Sequence, residues 1–116
     1  MEKVNLADRL ALIDGTYQPK VIAKYNQNHV LLVRARGEFV WHKHDDTDDC
    51  FLVLKGRLVI QLRDRDDVEL GEGELFVVPR GIEHCPRADP EAEILLIEPV
   101  GTTNTGDAPV TPRAVA

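Results

Sequence analysis

Turn residues recur along this chain at intervals too short for a protein built of helices and crossovers. Asn26-Gln27-Asn28, Gly37, Gly56, Gly71, Gly73 and Pro79-Arg80-Gly81 break the stretch from Pro19 to Pro99 into short alternating runs. Turn signals every 8–12 residues or so mark a β-sandwich or barrel. The runs predict strands over Lys20 to Tyr25, His29 to Arg36, Phe39 to His44, Val68 to Leu70 and Glu74 to Val78. Cys50 to Lys55 and Arg57 to Arg63 read as a hairpin about Gly56, with further strands over Glu83 to Arg87 and Glu93 to Glu98. The only helical pattern lies ahead of them. Leu6, Leu10 and Ile13 fall on one face of a helix from Leu6 to Ile13, with Asn5 as its cap. The fold class expected is therefore all-β, a barrel with a short N-terminal helix packed outside the sheet or against a second subunit.

A chain of 116 residues is the size of one domain. Residues 1–100 read as that domain. Residues 101–116, rich in Gly, Thr, Pro and Ala, read as a mobile tail or an arm lying on a neighbour. Fourteen Lys and Arg against 20 Asp and Glu leave a formal charge of −6, which argues against nucleic acid or an anionic membrane as partner. No apolar run approaches the roughly 20 residues of a membrane span. The first residues, MEKVNLADRL, hold no apolar signal core. A cytoplasmic location is expected, with Cys50 and Cys85 as free thiols.

The chemistry is carried by histidines. His42 and His44 stand two apart on an expected strand, so both rings leave one face. Their Cα atoms would lie about 6.7 Å apart, close enough for both rings to reach one ion. Lys43 points the other way. His84 follows the turn Pro79-Arg80-Gly81, and Asp49 opens the strand after His44. Three nitrogens and an oxygen suit a divalent transition metal (Fe, Mn, Ni, Co, Cu or Zn) and not Ca or Mg, which favour oxygen alone. Cys50 and Cys85 directly follow Asp49 and His84, so on strands both thiols point away from the ion. Asp45, Asp46 and Asp48 read as a solvated acidic turn, and Arg80 and Glu83 as surface charges. Trp41 alternates away from the histidine face and is expected to pack against the N-terminal segment or a partner. Phe51, Val53, Ile60, Leu62, Phe76 and Val78 are the core candidates.

On these residues the chain resembles the cupin family of small double-stranded β-helix, or jelly-roll, proteins. The first family motif reads Gly, five residues, His-x-His, three or four residues, Glu, six residues, Gly. The chain has Gly37, four residues, His42-Lys43-His44, four residues, Asp49, six residues and Gly56. The second motif reads Gly, five residues, Pro-x-Gly, two residues, His, three residues, Asn. The chain has Gly73, five residues, Pro79-Arg80-Gly81, two residues, His84, three residues and Ala88. The closing segment Glu98 to Gly106 also resembles a mannose-6-phosphate-isomerase-like subgroup of small cupins. The resemblance implies a metal held by His42, His44, Asp49 and His84.

Asp49 stands where the family has Glu. It is one methylene, about 1.5 Å, shorter. Three arrangements follow: direct ligation, ligation through a water, or a hydrogen bond that only orients a histidine. Ala88 in place of Asn removes a polar contact. The function expected is that of a metal-dependent enzyme acting on a small oxygenated molecule, by dioxygenase- or isomerase-type chemistry. Proton transfer would need a protein base, and Asp49 is the candidate if it is not a ligand. The alternative is a small-ligand or metal-binding module without turnover. Small cupins commonly cover their sheet edges and apolar outer face by pairing, so a homodimer is expected.

Overall fold

One short helix and six strands make up residues 1–108, the part of the chain that a computed structural model describes. In chain order they are α1 (Leu6–Leu10), β1 (Lys20–Tyr25), β2 (Asn28–Glu38), β3 (Asp49–Leu62), β4 (Val68–Leu70), β5 (Leu75–Val78) and β6 (His84–Pro99). Every pairing is antiparallel, in the order β1-β2-β6-β3-β4, with β5 on the same edge of β3 as β4. The all-β, jelly-roll expectation holds. Among the described residues no helix is long and apolar enough to cross a membrane.

Three long strands carry the barrel, and here the sequence reading needs correcting. The expected hairpin about Gly56 does not exist, because β3 runs straight through it and pairs with β6 on both sides. Inward residues are Phe51 and Val53 before Gly56 but Leu58 and Ile60 after it. A bulge, seen as register shifts between Val53 and Leu58, changes which parity faces inward. In the sequence this change of parity looks like a turn. Likewise Glu83 to Arg87 and Glu93 to Glu98 are one strand, β6. Pairing lapses around the cis Asp89-Pro90 bond and resumes at Glu91. The stretch Phe39 to His44 is not a strand; its one ladder rung is an isolated bridge between His42 and His84.

Alternation builds two apolar layers. Leu31, Val33, Phe51, Val53, Ile94 and Leu96 point into the barrel, joined by Leu58, Ile60 and Val78 beyond the bend. Of the six core candidates, Phe51, Val53, Ile60 and Val78 are buried, while Leu62 and Phe76 are partly buried. Leu32 points outward and meets Leu10 and Ile13. Helix α1 thus lies on the outside of the sheet. It is shorter than expected: after Leu10 the chain tightens into i→i+3 turns, Leu12 N–H donating to the Arg9 carbonyl and Ile13 N–H to that of Leu10, both at 3.1 Å. Arg34 donates to the carbonyls of Leu10 (3.3 Å) and Ile13 (2.7 Å) at this end. Its cap is as the sequence suggests: the Asp8 N–H donates to Asn5 Oδ1 at 3.0 Å. Trp41 packs under the Arg63 guanidinium, 4.1 Å from its ring centroid.

Of the expected tail, residues 109–116 lie outside the described residues. Residues 101–108 run back across the mouth of the barrel, where Thr105 is fully buried.

Gly56 is the residue on which the bend depends. Its φ is +83°, and a Cβ there would run into the Glu91 carbonyl oxygen. Gly56→Ala is therefore expected to cost at least about 2 kcal/mol. In a thermal melt this should lower Tm by roughly 8 °C or more; an unchanged Tm would show that the bend tolerates a side chain.

Candidate metal centre

His42 and His84 come together through their own backbones. The His42 N–H donates to the His84 carbonyl (3.0 Å) and the His84 N–H to that of His42 (2.8 Å). Residues paired in this way project their side chains to the same face, and the two ring centroids stand 4.4 Å apart. His44 lies two residues on, its ring 5.1 Å from that of His42 and 5.8 Å from that of His84. The turn after β5 holds it there, since the Gly81 N–H donates to the His44 carbonyl at 2.8 Å. Arg80 reinforces the same junction by donating its N–H to Asp48 Oδ1 at 2.9 Å.

Asp49 completes the group. As the first residue of β3 it is pinned opposite Val78 and points inward. Its Oδ2 lies 3.1 Å from His84 Nε2 and 3.3 Å from His44 Nε2. The shorter side chain therefore reaches the cluster. One donor atom from each of His42, His44, Asp49 and His84 lies within 4.8 Å of all the others, and all four residues are buried. The fourth histidine, His29, is in β2 and outside the cluster.

The donor set fits a cation. The Nδ1 atoms of His42 and His84 face the carbonyls of Val40 and Ile82, both at 2.9 Å. If Nδ1 carries the proton and donates it, Nε2 of each ring is a bare lone pair aimed into the cluster. In neutral His84 that lone pair would face the Asp49 carboxylate, an unfavourable contact unless positive charge lies between them. Ligand atoms bonded at about 2.1 Å to one ion stand roughly 3–4 Å apart, close to the spacing seen.

Electrostatics sort the group. Burial and the neighbouring His84 lower His42 to about 4, so it is neutral near pH 7. Burial would lower His44 as well, but its hydrogen bond to Asp49 and that carboxylate's charge leave it raised. Burial disfavours the Asp49 carboxylate, yet its close contacts with the His44 and His84 imidazoles hold it well below the usual carboxylate range. Both thiols are free, and burial pushes Cys85 up to about 11, so it acts as a small apolar residue.

The sequence reading missed Glu98. Ile94, Leu96 and Glu98 alternate along β6 and share the inward face, so strand parity alone could have flagged a carboxylate there. It stands one step beyond the Cys50–Ile97 pair, beside Asp49 on the neighbouring strand. Burial, then the charge of Asp49, raises it to about 7. Tyr17 and Phe39 were also missed as site residues. Tyr17 stacks on Phe39 with centroids 4.6 Å apart, and Phe39 meets the His42 ring edge-on at 5.6 Å. No periodicity marks Tyr17, which lies in a loop. With Phe51, Leu96 and Glu98 they line a cavity of about 30 Å³ beside the cluster. A wider groove of about 400 Å³, bordered by Lys43, His44, Asp46, Val100, Thr103 and Asp107, opens outside it.

Comparisons with known proteins agree with this geometry. The family model described as "Cupin domain" matches residues 29–98. The uncharacterized protein YdbB of Bacillus subtilis is 34% identical over 67 residues, which cover 58% of this chain and 59% of that one. A 3-hydroxyanthranilate 3,4-dioxygenase of Brucella anthropi is 36% identical over 72 residues, covering 56% of this chain and 40% of that protein. The chain thus spans about half the length of these curated relatives. The crystal structure of a cupin-2 domain containing protein from Shewanella frigidimarina superposes with a TM-score of 0.80 at 44% identity, covering 83% of this chain and 93% of that one.

Glu98 gives the metal-free protein a pH signature. A folded value near 7 against the ordinary 4.5 means that the folded chain holds the proton more tightly than the unfolded one. Stability should then fall as pH rises from about 4.5 to 7 and stay reduced above, by on the order of 3 kcal/mol. Raised His44 adds a loss of the same sign above 6.5. Glu98→Gln should melt higher than the parent at pH 8, with the gap closing at pH 5. Equal melting at both values would place the carboxyl in contact with water.

Proposed function

The chain belongs to the cupin domain family, and from that premise we propose that it is a metal-dependent enzyme acting on a small oxygenated molecule, with oxygenase-type chemistry ahead of isomerase-type. The observation that carries this reading is the convergence of His42, His44, Asp49 and His84 on one buried point. Likeness to a dioxygenase over 72 residues supports the choice of chemistry. The closing segment Glu98 to Gly106 supports membership of the mannose-6-phosphate-isomerase-like subgroup.

A divalent transition metal held by these four side chains would supply Lewis-acid polarisation of substrate oxygens and, if redox-active, a route to dioxygen chemistry. The chain's own residues do the rest. Val40 and Ile82 fix the rings of His42 and His84 by accepting from Nδ1. Phe39, Phe51 and Leu96 give the inner cavity apolar walls. Glu98, poised near neutrality, replaces Asp49 as the group that takes or returns a proton at a substrate oxygen. Lys43 and Asp46 border the groove by which a polar molecule would approach.

One observation favours the non-catalytic alternative. An inner cavity of about 30 Å³ holds roughly one water. A substrate must therefore bind from the groove or push the walls apart. Elemental analysis of untagged protein, followed by oxygen-uptake assays on catechols, hydroquinones and diketones, separates the readings. About one metal per chain is expected, lost in His42→Ala and His84→Ala, with oxygen uptake reduced at least a hundredfold in Glu98→Gln while its metal stays. Metal without turnover on any of these compounds, or on sugars tested for isomerisation, favours the binding module; no metal after reconstitution removes the metal-dependent enzyme and the metal-binding module, and leaves a module for a small ligand.

We further propose a homodimer. Val77, Cys50 and Ile97 stand side by side across β5, β3 and β6 on the outer face, and Leu75, Val77 and Ile97 are 56%, 41% and 37% exposed. Such an apolar row is suited to covering by a second copy. Light scattering at micromolar concentration should give twice the chain mass, and Val77→Glu should return it to a monomer. A monomeric parent chain would end this proposal.

A further inference from the structure

The segment 101–108 is fastened to the backbone between two of the site histidines. Lys43 N–H donates to Asp107 Oδ1 at 2.8 Å, and Asp107 N–H donates to the Lys43 carbonyl at 3.0 Å. Both polar groups of the Lys43 backbone are thereby satisfied by one residue 64 positions away. Gly106 permits the approach. Its φ is +54°, and a Cβ there would run into the Lys43 carbonyl oxygen and stand 3.0 Å from His42 Cδ2.

The segment is itself anchored. The Val100 N–H donates to the Gln27 carbonyl (2.9 Å), ahead of the turn. Gly106 and Ala108 donate to Thr103 and Thr105, both at 2.9 Å, and Asn104 Nδ2 donates to the Tyr17 carbonyl at 3.3 Å. The Thr105 side chain is fully buried.

Lys43 needs such a fastening because its segment is not in a sheet. Outside Lys43 itself, the backbone bonds of the described residues tie residues 39–44 only by the rung at His42 and by a single bond at each end. These run from Phe39 N–H to the Pro86 carbonyl (3.0 Å) and from Gly81 N–H to the His44 carbonyl (2.8 Å). The Lys43 dihedrals set the angle between the His42 and His44 rings. Free rotation there would spread the two nitrogens over many arrangements, and each would have to be frozen when an ion binds. A backbone held in advance removes that cost.

We propose that Asp107 and Gly106 are positioning residues that clamp the His42-Lys43-His44 backbone and so set the affinity of the cluster for a divalent transition metal, a role that rests on the metal-centre reading above. The proposal concerns geometry and not charge, and variants of the full chain separate the two. Asp107→Ala removes the acceptor. Asp107→Asn keeps an oxygen for the Lys43 N–H but drops the charge. Gly106→Ala forces the turn away from Lys43.

The metal-free proteins are titrated with Zn2+ against a chromophoric chelator, and amide hydrogen exchange is followed at Lys43. Asp107→Ala and Gly106→Ala should bind Zn2+ at least about tenfold more weakly than the parent, the usual scale for a group that orients a ligand. Asp107→Asn should stay within about threefold. The Lys43 amide should exchange faster in Asp107→Ala and not in Asp107→Asn. Asp107→Ser, whose hydroxyl falls short of Lys43, is the milder cut if Asp107→Ala does not fold. Parent-like affinity in the alanine and serine variants overturns the clamp, as does an asparagine variant as weak as alanine, which would assign the effect to charge. A parent chain that takes up no Zn2+ brings down the metal-centre reading and the clamp with it, whereas failure of the clamp alone leaves parent binding intact.

Discussion

A single oxygen organises the interior of this protein. Asp49 Oδ2 sits within 3.3 Å of Nε2 on both His44 and His84, inside a barrel lined mostly by apolar side chains. A buried carboxylate is stable only where positive charge or several hydrogen bonds meet it. The surrounding structure supplies that setting from three directions. Strand β5 holds Asp49 in place, the His42–His84 rung brings two rings together, and the turn at Gly81 pulls His44 inward.

The same burial produces a division of labour between two carboxylates. Asp49 and Glu98 lie on neighbouring strands with their side chains on one face. Asp49 faces imidazoles and stays ionised; Glu98 faces apolar walls and the charge of Asp49, and its proton is held to about 7. Neighbouring acids whose environments separate them in this way are suited to different tasks, one to hold charge and the other to exchange a proton. Neither role belongs to the side chain itself.

The architecture follows from the same economy. Three long strands bend, so each serves both halves of the barrel. Gly56 lets β3 turn its inward parity over without breaking its ladder to β6. Short β4 and β5 then complete the edge of β3 on either side of the bend. The bend leaves one end of the barrel open, and there the histidine segment, the turn at Gly81 and residues 101–108 meet.

Much of this was legible in the order of residues, because strand parity and turn chemistry are local. His42-Lys43-His44 must put two rings on one side of an extended backbone, and Pro79-Arg80-Gly81 must redirect the chain just before His84. Asn5 caps its helix for equally local reasons. The strands at Gly56 and Pro90 were misread because a bulge and a turn share the same short-range signature; only the partner strand tells them apart. The burial of Glu98, its nearness to Asp49, the stacking of Tyr17 on Phe39 and the tie from Asp107 to Lys43 are contacts between residues far apart in the chain. Composition and spacing therefore determine which donors exist and which way each strand can present them. How far each donor is buried, what charge stands beside it, and hence which proton it keeps, is decided only when the barrel closes, because desolvation and Coulomb energy depend on distance in space.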